Sequence, residues 1–183
     1  MKSLYSPGHR FIDPYKVLVG AGLKPGQVVG DFGAGNGFYA TASAEIVGNA
    51  GSVYAVDIQE DPLRHIMAEA RVKSLRNIKT LRCDLEKPDF CPVPAVSCDA
   101  VILANILHQA PNKQAVVAAT YKALRTGGYA LVIEWEPQAA AFGPAAQSRL
   151  SEEDVAGLFT GSGFKPGRKI PADTYHYAVT YIK

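Results

Sequence analysis

Strand-like and helix-like segments alternate along the chain up to residue 135, and this order restricts the fold more than any other feature. Five short apolar runs are predicted as buried strands: QVVGDF, GSVYAVDI, NIKTLRCD, CDAVILANIL and YALVIEW. Helices are predicted from Asp13–Pro14, at FYATASAEIVG, from Asp61–Pro62 to about Leu75, and over 111–125 with Gly127 and Gly128 as its stop. The alternation predicts an α/β, doubly wound architecture with a mostly parallel sheet covered by helices on both faces.

Two segments depart from this alternation. The stretch LEKPDFCPVPAVS contains Pro88, Pro92 and Pro94, which predict a loop rather than a helix before the fourth strand. After the fifth strand, EPQAAAFGPAAQSRL is predicted as a loop, and Ser151 with Asp154 three positions later predicts a capped helix. The tail KPGRKIPADTYHYAVTYIK is predicted as an antiparallel β-hairpin, which would bring the sheet to seven strands.

Composition excludes several classes of protein. With 183 residues, 48% of them hydrophobic, the chain is predicted to form one domain, 1–183. A net charge of +2 demands neither a nucleic-acid groove nor an anionic membrane surface, and no apolar run approaches the length of a membrane span. No export signal is seen at the N-terminus, so a cytoplasmic location is expected. Cys83, Cys91 and Cys98 are expected to stay reduced in separate packing roles, with a thiolate metal site as the alternative.

A glycine-rich loop, DFGAGNG, follows the first predicted strand and precedes a helix. Glycines allow the backbone to turn sharply and to approach a ligand, and the following helix offers free N–H groups. A dinucleotide fingerprint, GxGxxG, would require a third glycine at position 38, where the chain has Phe38. Asp31, two positions before Gly33, would oppose a pyrophosphate and favours a ligand that carries an ammonium group.

These features resemble motif I of the class I S-adenosylmethionine-dependent methyltransferases, an acidic residue followed by xGxGxG. Further matches follow in the family's order: VYAVDI, TLRCD, CDAVILANILH and ALRTGGYALVIEW. The resemblance covers about 11–183 and is strongest to the small methyltransferases of ubiquinone and menaquinone biosynthesis and the arsenite methyltransferases. It implies a Rossmann-like fold with an N-terminal lid and helix (1–26), a cofactor-binding core (27–135) and a last helix with a β-hairpin (136–183).

The resemblance also implies a cofactor site. Asp31 and the loop positions Gly33, Ala34, Gly35 and Gly37 would hold the methionine end of the cofactor, and Asn105 would lie beside it. Asp57 would accept hydrogen bonds from the ribose hydroxyls, while Ile58, Asp84 and Leu85 would surround the adenine. Taken alone, Asp57 and Asp84 are also compatible with N-caps after strands. Gly30, inside the first strand, departs from the usual apolar residue and has no functional explanation in the sequence.

The implied reaction moves a methyl group from S-adenosylmethionine to a small-molecule acceptor by in-line displacement, leaving S-adenosylhomocysteine. His108 and Glu134 are the candidates for catalytic acid–base roles, Trp135 for an acceptor wall or the core, and Tyr5, His9 and Phe11 for a lid. His176 is assigned equally to a surface strand or the pocket. The alternatives are an RNA or protein methyltransferase, a non-catalytic module that binds the cofactor, and a nicotinamide oxidoreductase. Neither a nucleic-acid nor a membrane partner is expected, no metal site is assigned, and the oligomeric state stays open.

Overall fold

The computed structural model of the protein describes residues 12–87, 91–138 and 143–183. The strands are β1 (Val28–Phe32), β2 (Ser52–Asp57), β3 (Ile78–Arg82), β4 (Cys98–Ala104), β5 (Leu124–Trp135), β6 (Lys165–Ile170) and β7 (His176–Ile182). The helices are α1 (Pro14–Gly20), α2 (Phe38–Val47), α3 (Glu60–Val72), α4 (Lys113–Ala123) and α5 (Glu152–Gly161), with a 3₁₀ turn at Ala146–Ser148. Tyr5, His9 and Phe11, predicted as a lid, lie outside the described residues, as does Pro88.

All these strands join one sheet in the order β3-β2-β1-β4-β5-β7-β6. Strands β1 to β5 pair in parallel, whereas β7 pairs antiparallel with both β5 and β6. The predicted seven-stranded, mostly parallel sheet with a C-terminal antiparallel hairpin is therefore confirmed. The order reverses at β1 and β4, and this switch point is where open parallel sheets bind their ligands.

The two faces of the sheet are buried in separate hydrophobic cores. Helices α1, α2 and α3 cover one face, where Leu18, Ala44 and Ile66 pack against apolar residues of the central strands. Helices α4 and α5 cover the other face, where Val117 and Phe159 lie in the second core. Because successive side chains of a strand point to opposite faces, each central strand contributes to both cores. This arrangement confirms the doubly wound fold.

Local signals place several helix ends. Asp13 caps α1 by accepting a hydrogen bond from the backbone N–H of Lys16 at 3.3 Å. Ser151 and Asp154 form a reciprocal capping box at the start of α5, which satisfies N–H groups that a helix leaves unpaired. Both caps follow the sequence prediction.

The predicted end of α4 is wrong. The helix ends at Ala123 rather than Arg125, and the extended Leu124 already pairs with Cys98 of β4. Gly127 and Gly128 consequently lie within β5 and do not stop the helix. Burial of the Leu124 side chain favours the early change from helix to strand. Helix α3 likewise differs at its ends, since it begins at Glu60 and closes at Val72 instead of near Leu75.

Two cysteines behave differently from the prediction. Cys83 and Cys91 form a disulfide, with their Cα atoms 5.1 Å apart, so the expectation that these two stay reduced with separate packing roles is wrong. The prolines predict a loop after β3, but they do not predict that Cys91 lies next to Cys83. Cys98 is free and buried. Within the described ranges, no three metal-ligating side chains come together, and no helix has the length and apolar character to cross a membrane.

Gly30 has a structural explanation. A Cβ atom at this position would lie 2.8 Å from the ring of Phe32 and 3.3 Å from a methyl group of Val101. The missing side chain leaves space for the Phe32 ring beside strand β4, within the core under α4 and α5. The benefit of packing this aromatic ring offsets the cost of glycine in a strand.

Candidate functional site

A cavity of about 570 Å³ opens at the carboxyl ends of β1, β2, β3 and β4, a size typical of small-molecule sites. Nine residues predicted for the cofactor line it: Asp31, Gly33, Ala34, Gly35, Asp57, Ile58, Asp84, Leu85 and Asn105. The tenth, Gly37, is not among the lining residues; it precedes α2 with a left-handed backbone. Parallel strands bring these positions together because their carboxyl ends share one edge of the sheet.

The glycine loop is held against the end of β2. The N–H groups of Gly33 and Ala34 both donate to the carbonyl oxygen of Val56, at 2.8 Å each. Gly33 has φ +75°, and a Cβ atom there would overlap the side chain of Ile106. Gly35, by contrast, meets no atom closer than 4.0 Å at the position of a Cβ, so its backbone stays open to the cavity. The loop thus presents bare backbone to a ligand.

Asp57 is oriented by two backbone donors. Its Oδ2 atom accepts a hydrogen bond from the N–H of Gly35 and its Oδ1 atom one from the N–H of Gln59, both at 2.9 Å. Each carboxylate oxygen has a further lone pair, so the side chain can still accept two hydroxyl donors. A carboxylate fixed in this way matches two neighbouring hydroxyl groups, as on a ribose.

The end of the cavity beside β2 and β3 combines apolar side chains with a carboxylate. Ile58 is 55% exposed beside the cavity, and Leu85 is almost completely buried in its wall. The Oδ1 atom of Asp84 accepts a hydrogen bond from the N–H of Glu86 at 3.0 Å, and Lys87 lies 3.2 Å from Oδ2. Apolar side chains beside a carboxylate suit a flat heterocycle that carries an amino group.

Asp31 is the most perturbed acid of the cavity. Only 2% of the residue is exposed, and burial raises the pKa of its carboxyl group to about 7. A hydrogen bond from the backbone of Ala40 opposes this rise, and the nearby charge of Asp57 adds to it. Within the described part of the chain, the Oδ2 atom has no hydrogen-bond partner. A buried acceptor of this kind calls for a cationic donor, because leaving it unpaired costs free energy.

His108 and Glu134 contact each other rather than the cavity. The Nδ1 atom of His108 lies 2.8 Å from Oε2 of Glu134, and its backbone N–H donates to Oε1 at 3.3 Å. Glu134 is completely buried, and neither residue is among those that line the cavity. Glu134 shares the face of Val132, under α4 and α5, whereas Asp31 shares that of Val29, on the opposite side of the sheet. A catalytic role for the pair stays a prediction.

The sequence did not predict that Asp173, His176 and Asn105 contact one another. His176 is buried, with its Nδ1 atom 2.9 Å from Oδ1 of Asp173 and its Nε2 atom 3.4 Å from Nδ2 of Asn105. Its ring also packs against Trp135, with the ring centres 4.1 Å apart and the ring planes tilted by 41°. The alternation of β7, which sends Tyr177 into the core under α4 and α5, was the available signal that His176 lies on the opposite face, with Asp31.

The rim of the cavity also contains residues that the motif did not identify. Phe38, which replaces the third glycine of a dinucleotide loop, is 66% exposed and lines the cavity together with Asn36 and Tyr39. The buried face of α2 is formed by the smaller Ala40 and Ala44 instead. A large apolar side chain exposed at a cavity rim is a candidate contact for a ligand.

The fold and site define a class I S-adenosylmethionine-dependent methyltransferase. A family described as "Methyltransferase domain" matches residues 29–128, more than half of the chain, and the chain belongs to this family. Its cofactor is S-adenosylmethionine. The relatives include a protein named ubiquinone/menaquinone biosynthesis C-methyltransferase UbiE from Cupriavidus taiwanensis, 31% identical over 75% of this chain and 56% of that protein. An arsenite methyltransferase from Halobacterium salinarum is 33% identical over 59% of this chain and 27% of that protein.

Solved structures share the fold. A SAM-dependent methyltransferase from Aquifex aeolicus is 27% identical, with a TM-score of 0.86 over 94% of this chain and 90% of that chain. A protein described as a type 11 methyltransferase from Sulfolobus solfataricus is 26% identical, with a TM-score of 0.72 over 99% and 94% of the two chains. The present chain spans only about half the length of the UbiE relatives, at 55% to 56% for the first three.

Proposed function

We propose that this protein transfers the methyl group of S-adenosylmethionine to a small-molecule acceptor. One observation carries the proposal: nine positions that the sequence motif assigns to the cofactor line a single cavity, with the unpaired Oδ2 atom of Asp31 at its strand-β1 end. The similarity to methyltransferases named for quinone biosynthesis and for arsenite supports a small acceptor. The acceptor itself is not assigned.

The donor set fits the cofactor along its whole length. Asp31 offers a carboxylate for the ammonium group, and the glycine loop offers backbone for the methionine end. Asp57 offers fixed acceptors for the ribose hydroxyls, and Ile58 and Leu85 offer an apolar surface for the adenine. When bound, the cofactor supplies a sulfonium that is already an active methyl donor.

The protein then has to align the acceptor and exclude water. Orientation of two reactants supplies roughly 7 to 11 kcal/mol in favourable systems, so binding geometry alone can account for much of the rate. Proton removal is needed only for an acceptor that is protonated at the working pH. We retain His108 and Glu134 as candidates for that step, although their direct contact also holds the segment after β4 against β5.

Calorimetric titration with S-adenosylmethionine, S-adenosylhomocysteine and NAD tests the proposal. We expect saturable binding of both sulfur compounds, no binding of NAD, and a loss of at least about tenfold in affinity in Asp57→Ala, which corresponds to 1.4 kcal/mol. Glu45→Gln, which removes an exposed acid on α2, serves as the matched control for a lost negative charge. Binding of NAD, or absence of binding of both sulfur compounds, would refute the proposal.

Methyl transfer needs its own measurement. The protein with S-adenosylmethionine is incubated with a panel of quinols, phenols, amines and thiols, and S-adenosylhomocysteine and methylated products are detected by mass spectrometry. We expect production of S-adenosylhomocysteine that depends on one acceptor class and disappears in Asp57→Ala. Cofactor binding with no acceptor-dependent turnover would favour a non-catalytic module.

A further inference from the structure

Three side chains form a chain of contacts that leads from the loop before β7 to the cavity wall. The Oδ1 atom of Asp173 faces Nδ1 of His176 at 2.9 Å and accepts the backbone N–H groups of Tyr175 and His176 at 2.8 Å each. The Nε2 atom of His176 faces the amide nitrogen of Asn105, which lines the cavity. The side chains of Asp173 and His176 are 4% and 3% exposed, so neither meets bulk water.

The hydrogen-bonding groups of Asp173 and Asn105 indicate which ring nitrogen of His176 carries hydrogen. The Asp173 carboxylate can only accept, so the Nδ1 atom of His176 carries the proton. The Asn105 amide nitrogen can only donate, so the Nε2 atom must be the unprotonated acceptor. Both contacts fit the tautomer of His176 with hydrogen on Nδ1 and an accepting Nε2 atom. In this arrangement the amide nitrogen of Asn105 faces His176 and the amide oxygen does not.

The oxygen of that amide has no hydrogen-bond partner within the part of the chain that the structure describes. Among the described residues, Oδ1 of Asn105 and Oδ2 of Asp31 are both buried without a hydrogen bond, and both residues line the cavity. Asn105 directly follows the end of β4, and Asp31 lies in the adjacent β1, paired with Ile102. Two unpaired acceptors on neighbouring strands favour a ligand group that has several N–H donors.

We propose that Asp173 and His176 are positioning residues, which hold the carbonyl oxygen of Asn105 as a second acceptor, beside Asp31, for the ammonium group of the cofactor. Neither residue touches the cofactor, and both act through Asn105. The inference rests on the proposed function, since it assigns a partner to one end of the same ligand. It extends the site to the C-terminal hairpin, which the glycine-loop motif does not include.

Two ligands separate this role from general stability. S-adenosylhomocysteine carries the amino-acid end, whereas 5′-methylthioadenosine shares the adenosine and the thioether but lacks that end. We expect His176→Asn to lower the affinity for S-adenosylhomocysteine by about tenfold, or 1.4 kcal/mol, and to leave that for 5′-methylthioadenosine unchanged. Asp173→Ala, which removes the acceptor for Nδ1 and leaves His176 in place, should give the same selective loss.

A comparison of His176→Gln with His176→Asn tests whether His176 accepts a hydrogen bond from Asn105. The amide of glutamine reaches the position of Nε2 and can accept from Asn105, whereas that of asparagine reaches only the position of Nδ1. His176→Gln should therefore keep the affinity for S-adenosylhomocysteine within about threefold, less than the 1.4 kcal/mol of a tenfold change. Tyr177→Phe is the matched control on β7, because it removes a part-buried hydrogen bond to the carbonyl oxygen of Leu150 on the opposite face.

The outcomes distinguish the positioning role of Asp173 and His176 from the cofactor assignment itself. The selective loss in His176→Asn and Asp173→Ala, with retention in His176→Gln and Tyr177→Phe, supports the positioning role. Equal loss of both ligands in the His176 and Asp173 variants, or no loss of either, overturns it while leaving the cofactor assignment intact. If the unaltered protein binds neither ligand, the proposed function fails and the inference fails with it.

Discussion

Asp31 is expected to make the ligand-free protein less stable as the pH rises. Its carboxyl group has a pKa of 3.8 when unfolded and about 7 when folded, chiefly because of burial. Between these values the folded chain retains a proton that the unfolded chain has released, so the free energy of unfolding falls with increasing pH. From about pH 5 to about pH 8 the linkage relation gives a loss of roughly 2 to 3 kcal/mol.

The variant Asp31→Asn isolates this contribution. It cannot ionise, so its free energy of unfolding should lack the part of the pH dependence that belongs to residue 31. At roughly 2 to 4 °C per kcal/mol for a chain of this size, the melting temperature of the unaltered protein should fall by about 5 to 10 °C more than that of the variant over this range. Thermal unfolding followed by circular dichroism at both pH values measures the difference, with Glu45→Gln as the control.

Binding should show the opposite trend. An ammonium group beside Asp31 favours the carboxylate and lowers its pKa in the complex, so binding releases a proton. The affinity for S-adenosylhomocysteine should therefore rise with pH up to about 7 and then level off, and Asp31→Asn should bind weakly at every pH. Parallel stability curves of the protein and the variant, or an affinity of the protein that does not change with pH, would refute the reasoning.

Three further predictions follow from local geometry. Gly33→Ala places a Cβ atom against Ile106 in a left-handed backbone, so calorimetry should show at least about tenfold weaker binding of S-adenosylhomocysteine, or 1.4 kcal/mol. Gly157→Ala, where a Cβ atom meets no neighbour, is the control and should retain binding. Equal affinities of the two variants would contradict the packing argument. Asp57→Asn should weaken S-adenosylhomocysteine and 5′-methylthioadenosine alike, since both carry the ribose; a loss confined to one ligand would exclude the assigned role. Ser151→Ala should lower the free energy of unfolding in urea by about 1 kcal/mol through loss of the cap; a change in cofactor affinity would contradict a purely structural role.

The fold and the residues that line the cofactor cavity are predictable from the sequence for a physical reason. Strand and helix periodicity are local properties, and the carboxyl ends of parallel strands meet wherever such a sheet forms. Asp31 and Asp57 lie at or near the end of a strand, and Asp84 follows the end of β3 by two residues, so their convergence follows from topology. The capping box at Ser151 is equally local.

The features that the sequence did not predict depend on contacts between distant segments. The pairing of Cys83 with Cys91 depends on the two residues lying side by side in the fold, with their Cα atoms 5.1 Å apart. The extension of β5 through Gly127 depends on the alignment of Leu124 with Cys98. His176 joins the site because β7 pairs antiparallel with β5, which sets it against Trp135 and Asn105. Counting alternate residues along β5 places Glu134 on the face of the sheet opposite that of Asp31.

The antiparallel register of β7 therefore has a consequence for the evolution of the chain. A shift of β7 by one residue against β5 would send the imidazole of His176 into the opposite core, while the hydrogen bonds of the hairpin could re-form one step along. The glycine loop and the acidic strand ends would be untouched, and a comparison based on those motifs alone would still assign an intact cofactor site. Relatives in which β7 is shifted by one residue are thus the natural variants in which recognition of the amino-acid end should diverge first.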